Sequence, residues 1–284
     1  MGEDVPDEVV RSLEATARAL RREILLEARA SGAERPARPL AAADLLTALL
    51  FHELPERPPT LPFPRVDRLV FAHGEAGPAL RAALRLRCTS AGGEPRVALE
   101  GTGGNEGDGP GADPRLIDTS PTGRAHGMGI AVGLAVDARI ARRPGPVYAL
   151  LGERECAAGG TWEALLVAGE HRLHNLVAVL DLDRPEGDPS PDPHATPGAI
   201  EGRLRSFGYE TIGVDGHDLR EILRGLERCR GAGTGPHALV AHTVRGRGVS
   251  FMEDPHASQS RPPSDEEYER ALVELSGPAG GPPA

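Results

Sequence analysis

The sequence predicts an α/β fold, a doubly wound parallel sheet with helices on both faces. Two observations carry this. From residue 146 onward, short apolar runs at 146–151, 175–182, 209–213 and 237–243 alternate with amphipathic stretches at 160–172, 197–206 and 217–229. Strands buried on both faces read as apolar runs, and the helices between them are the crossovers that a parallel sheet requires. The run Tyr148–Leu151 also passes through Gly152 into a helix beginning near Thr161-Trp162-Glu163. Strand, glycine turn and helix is how such a sheet builds an anion or metal site at its carboxyl edge. The turn here, Gly152-Glu153-Arg154-Glu155, is bulky and charged.

The remaining elements follow in order. Residues 6–31 have helical periodicity, with Val9, Leu13, Ala17, Leu20 and Ile24 on one face. A second helix is expected over 41–52, a Pro-rich loop over 54–64, a short strand over 68–72 and a helix over 77–86. Residues 90–115 are rich in Gly, Asp, Glu and Pro and read as a long mobile loop. A small-residue helix runs over 127–141, an acidic Pro-rich loop over 183–195 and a last helix over 264–275. One domain over residues 1–275 is expected, followed by a disordered tail at 276–284.

Composition bounds the function. The chain has 284 residues, enough for a sizeable core, but only 3% aromatics, so that core must be built from Ala, Val, Leu and Ile. The net charge of −10 argues against nucleic-acid binding, which needs a basic face. All 32 basic residues are Arg, which reads as a coding bias, so no single Arg is informative by itself. The three cysteines, Cys88, Cys156 and Cys229, have no metal-ligand spacing and fit a reducing, cytoplasmic setting. Cys156, just before a helix, is either a lowered-pKa thiol or a buried inert one, and the second reading is preferred. The acidic N-terminus has no apolar signal region, and no apolar run is long enough to span a bilayer.

Several runs resemble the N-terminal, thiamine-diphosphate-binding half of transketolase. They are Arg68–Ala72 with Gly74 and Pro78-Ala79-Leu80, His126-Gly127-Met128 with Ala131-Val132-Gly133, and Trp162-Glu163-Ala164. His174-Asn175-Leu176, Phe207-Gly208, Val214-Asp215-Gly216-His217-Asp218 and the long run Ala241–Glu253 follow. The likeness extends from about Arg21 to Leu275 and implies the thiamine-diphosphate-binding fold, its diphosphate-binding half. It also implies Mg²⁺ or Ca²⁺ anchoring the cofactor's diphosphate, held by an Asp in a Gly-Asp-Gly turn, an Asn one strand later and a backbone carbonyl beyond. Those positions are Glu153, Asp183 and Pro185 here, and the turn's second Gly is Arg154. Glu153 and Asp183 keep oxygen ligands, although Glu153 adds about 1.5 Å of reach. Arg154 puts a side chain where glycine lets the backbone approach the diphosphate. The bland alternative, that Glu153 and Arg154 are solvated turn residues, is preferred.

The family's histidines around cofactor and sugar align with Arg35, Glu75 and Gln259, and the loop 105–119 contains none. The Gly-x-Leu-Gly turn beside the thiazolium becomes Thr122-Gly123-Arg124-Ala125. His126 remains as the catalytic candidate, and Gly123, Arg124, His126, Glu153, Arg154 and Asp183 stand at cofactor positions. Coding bias accounts for Lys→Arg in Val244-Arg245-Gly246-Arg247 but not for His→Glu or Gly→Arg. Runs of the scaffold match while runs of the site do not.

Three readings stay open. The first is a transketolase-type subunit whose own site has decayed, persisting beside a partner that carries the pyrimidine-binding and C-terminal domains, as a dimer or heterotetramer. The second is an active thiamine-diphosphate-dependent transferase of a two-carbon ketol unit with an altered substrate. The third is a metal-independent anion-binding module using Arg35, Arg124 and Arg154. These three arginines are expected to share a cleft with Glu75, Glu153 and Asp183, their charges pairing internally because buried unpaired charge is costly.

Overall fold

The computed structural model describes residues 5–30, 36–54, 68–90, 126–143, 145–183, 196–231, 233–253 and 262–276. Helix α1 (Asp7–Ala30) is followed by the short helices α2 (Ala37–Ala41) and α3 (Ala43–Ala48) and a π-helical turn, Leu49–Glu53. Strand β1 (Arg68–Phe71) leads through a 3₁₀ turn, Gly74–Ala76, into α4 (Gly77–Ser90). Next come α5 (His126–Ile140), β2 (Val147–Gly152), α6 (Glu153–Cys156), α7 (Gly159–Glu170) and β3 (Leu176–Leu182). The chain continues through α8 (Pro197–Ser206), β4 (Glu210–Asp215), α9 (Leu219–Cys229), β5 (His237–His242), α10 (Ser250–Glu253) and α11 (Asp265–Ser276).

The five strands form one parallel sheet in the order β1-β2-β3-β5-β4. Strand side chains alternate between its two faces. Tyr148, Leu150, Val177, Val179 and Leu239 join the layer built with α1, α3, α4, α9 and α11. Val147, Ala149, Leu151, Ala178, Leu180 and Val240 join the layer under α5, α7 and α8. Helices α8 and α9 cover opposite faces of β4 and β5, so the chain changes face as it steps out to the edge strand β4 and back to β5. That is the double winding the sequence predicts.

Two expectations need correction. The helix expected over 41–52 is three pieces broken at Ala42, the last a π turn closed by the Leu54 N–H donating to the Leu49 carbonyl at 2.9 Å. Thr47 Oγ1 donates back to the Ala43 carbonyl at 2.8 Å, a side-chain bond that competes with a regular helical ladder. The turn at 153–156 is helical, and it makes α6. The loop expected at about 90–115 lies outside the described residues apart from Ser90, which ends α4, as does the tail apart from Ser276, which ends α11. No helix among the described residues is long and apolar enough to cross a membrane.

One buried polar cluster ties the helical layer to the sheet. Arg21 of α1 is ion-paired with Asp44 of α3, and Asp44 Oδ2 accepts from His217 Nδ1 at 2.7 Å. The Val244 N–H, just past β5, donates to His217 Nε2 at 2.7 Å. Burial alone would raise the Asp44 carboxyl, but the Arg21 guanidinium and the His217 hydrogen bond outweigh it and hold the group below its ordinary value. Removing one member of a buried pair strands the other. Asp44→Ala should therefore destabilise the chain by about 3–5 kcal/mol in urea unfolding, and a loss below about 1 kcal/mol would contradict this account of the cluster.

Candidate functional site

A parallel sheet delivers the ends of all its strands to one edge. In this register Gly152 pairs with Asp181, so the turns after β2 and β3 emerge side by side. The segment after β1 brings His73 and Glu75, the turn after β2 brings Glu153, Arg154 and Glu155, the end of β3 brings Asp181 and Asp183, and the end of β5 brings Thr243 and Arg245. Arg38 reaches the same edge from α2.

Buried groups form the floor. His73 Nε2 donates to Asp181 Oδ2 at 3.1 Å, and the Thr243 hydroxyl donates to Asp181 Oδ1. Gly152 makes this packing possible, since a Cβ there would lie 2.5 Å from the His73 ring. Burial opposes the imidazolium, but the Asp181 hydrogen bond and charge, with Glu155 and Asp183 nearby, outweigh it and raise the His73 pKa. The buried Glu155 carboxylate accepts from the Gly152 N–H at 3.1 Å and the Gly74 N–H at 3.4 Å, stitching the ends of β1 and β2 together.

A chain of alternating charge lies on that floor. Arg154 Nε is 3.1 Å from Glu75, and Glu75 is also paired with Arg38. Arg38 Nε is 3.7 Å from Asp183, and Asp183 accepts from Arg245 Nε at 2.7 Å. Arg245 Nη2 extends the series to Glu153 at 3.4 Å. The chain of charges holds three guanidiniums and three carboxylates. Gly246 has φ +75°, and a Cβ there would meet the Met252 backbone at 2.3 Å. This tight turn, unsuited to an L side chain, follows Arg245 and shapes the loop that carries it.

Four residues singled out in the sequence, Glu75, Glu153, Arg154 and Asp183, meet at this edge. Glu153 and Arg154, read as solvated turn residues, stand at the two ends of this chain of charges, where Glu153 is half-buried and Arg154 remains exposed. His126 is exposed at the start of α5. Arg35, Gly123, Arg124, Pro185 and Gln259 lie outside the described residues. The guanidiniums that join Arg154 in the chain of charges are Arg38 and Arg245, which sequence reasoning passed over as site residues. The one signal for Arg245 was its position just past β5, on the edge shared with Gly152 and Asp183. Cys156 is a buried thiol pushed up to about 12 by burial and by Glu155 and Glu153, so it is inert rather than activated.

Burial, then the charge of Asp181, pushes the Asp183 carboxyl up to about 6 against the pull of Arg38 and Arg245. The folded value lies above the unfolded one, so the native state takes up a proton before the unfolded chain does. Stability gained this way grows as pH falls through about 6 and levels off near the ordinary carboxylate value. Urea unfolding between about pH 7 and about pH 5 should therefore show a larger acid-side gain for the wild type than for Asp183→Asn; equal slopes would contradict the shift.

No family model matches the chain. It is 30% identical over 241 residues to the 6-deoxy-6-sulfo-D-fructose transketolase subunit SqwG of a Clostridium species, spanning 83% of this chain and 86% of that protein. It is 27% identical to one of the named subunits of the apulose-4-phosphate transketolase of Phocaeicola vulgatus, with 84% of each chain covered. Mouse transketolase is 30% identical over 94% of this chain, which spans 42% of that longer protein. Among solved structures, Campylobacter jejuni transketolase superposes with TM-score 0.70 at 23% identity over 95% of this chain and 43% of its own. That likeness shows the fold. The identity and coverage shared with SqwG show the family, and the chain belongs to the transketolases as their N-terminal part.

Proposed function

We propose that the chain is the N-terminal subunit of a two-chain transketolase-type assembly and that its own cofactor edge is closed, so that it serves in a supporting role. The two relatives named as subunits match 83% and 84% of it and 86% and 84% of their own lengths, whereas it spans 42% of mouse transketolase. On the model of those two subunits, a second chain carries the pyrimidine-binding and C-terminal domains, in a dimer or heterotetramer. Helices α5 and α7 pack under the same layer and leave Ile130, Leu166 and Val167 exposed, apolar surface of the kind that partners cover.

The observation that supports the closed-site reading is the chain of paired charges at the sheet edge. The family implies thiamine diphosphate and a divalent metal, and the residues present do not fit them. Glu153 and Asp183, the side chains at the metal positions, are bridged by the Arg245 guanidinium. Arg154 puts a side chain, paired with Glu75, where a glycine would open the approach to a diphosphate. With three guanidiniums already matched by three carboxylates, this chain of charges offers a diphosphate no surplus positive charge. What these residues do is hold one another and fix the four strand ends.

Titration calorimetry of the purified chain with thiamine diphosphate and excess Mg²⁺ tests this, alone and with a candidate partner. No heat of binding is expected from the isolated chain. Micromolar binding would overturn the closed-site reading and favour an active transferase. Arg154→Gly combined with Glu153→Asp should strengthen binding when the partner is present, and no improvement would show that these two side chains are not the obstruction.

A further inference from the structure

We infer that Arg245 is a built-in counter-ion that takes the place of a divalent cation between Glu153 and Asp183. The inference deepens the closed-site reading and rests on it. Arg245 lies 2.7 Å from Asp183 through Nε and 3.4 Å from Glu153 through Nη2, so one planar cation spans two carboxylates from neighbouring strand ends. The three side chains, Arg245, Asp183 and Glu153, are 13%, 6% and 17% exposed. Two carboxylates so far out of water repel each other unless a cation stands between them.

A divalent ion could do this with oxygen ligands, but it arrives from solution and leaves when chelated. The guanidinium is covalently attached, keeps its charge throughout the physiological range and matches carboxylate geometry through its fork of N–H donors. Its loop is held in two ways. The Val244 N–H donates to His217 Nε2, and the Gly246 N–H donates to the Ala37 carbonyl at 2.8 Å, one residue from Arg38. The cation is thus delivered by folding, and the edge needs no metal to assemble. A metal competing for this place would have to displace a guanidinium anchored on both sides.

The consequence is a latent cation site, exposed when the guanidinium is removed. Mn²⁺, detected by electron paramagnetic resonance on the full chain without thiamine diphosphate, is the probe. Wild type is expected to show no site tighter than about 1 mM, and Arg245→Gln to gain Mn²⁺ affinity by at least about tenfold with a Mn²⁺-dependent rise in Tm. Adding Glu153→Gln to that variant should abolish the gain. If Arg245→Gln binds Mn²⁺ no better than wild type, the inference is overturned. Should that variant not fold, Arg245→Lys keeps the charge and stem. It should stay as blind to Mn²⁺ as the wild type, and a micromolar site in either protein overturns the inference. A wild type that binds Mn²⁺ but not thiamine diphosphate defeats this inference alone, whereas binding of thiamine diphosphate without Mn²⁺ defeats the closed-site reading alone.

Discussion

The edge of the sheet is organised by the ion pair between Arg245 and Asp183, 2.7 Å long and largely out of water. A parallel sheet sends its strand ends to one side, and in this chain those ends carry Glu75, Glu153, Glu155, Asp181 and Asp183. Such a concentration of carboxylate charge cannot be packed together without cations among it. His73 meets Asp181 below, Arg245 joins Asp183 to Glu153 above, and Arg38 and Arg154 share Glu75. The pairing therefore follows from the fold as much as from any function. Once the strand order is set, each carboxylate lies beside the next.

That constraint links the site to parts of the molecule far from it in sequence. The Arg245 loop is held by His217, and His217 is held by Asp44, which is paired with Arg21 of the first helix. Arg38 comes from a helix that packs in the layer opposite α5 and α7. The N-terminal helices thus support the position of the charges at the carboxyl edge, and the site is as stable as the buried polar contacts behind it. Around Glu153 and Asp183 the chain's own side chains pair with one another.

Much of the fold was legible because the physics is local. The runs 146–151 and 175–182 are apolar on both faces, which only a central parallel strand requires, and they form β2 and β3. The break at Ala42 was hidden because an uninterrupted Ala- and Leu-rich stretch carries no signal for a π turn. At the site, the acidic positions could be named because the resemblance supplied their places in the chain. Their partners could not. Every basic residue is Arg, so Arg38 and Arg245 looked like all the others, and pairing depends on side-chain reach across strands that sequence spacing does not encode. Asp181 fell within the apolar run 175–182 and His73 just past the strand 68–72, and their pairing becomes visible only when β1 and β3 stand on either side of β2.

The central claim is that a guanidinium stands where a divalent cation would. A crystal structure of the full chain grown with Mn²⁺ and thiamine diphosphate, with data collected at the manganese absorption edge, tests it most directly. The account predicts guanidinium density between Glu153 and Asp183 and no anomalous peak there. An anomalous peak coordinated by those two carboxylates, with Arg245 swung away, would contradict it.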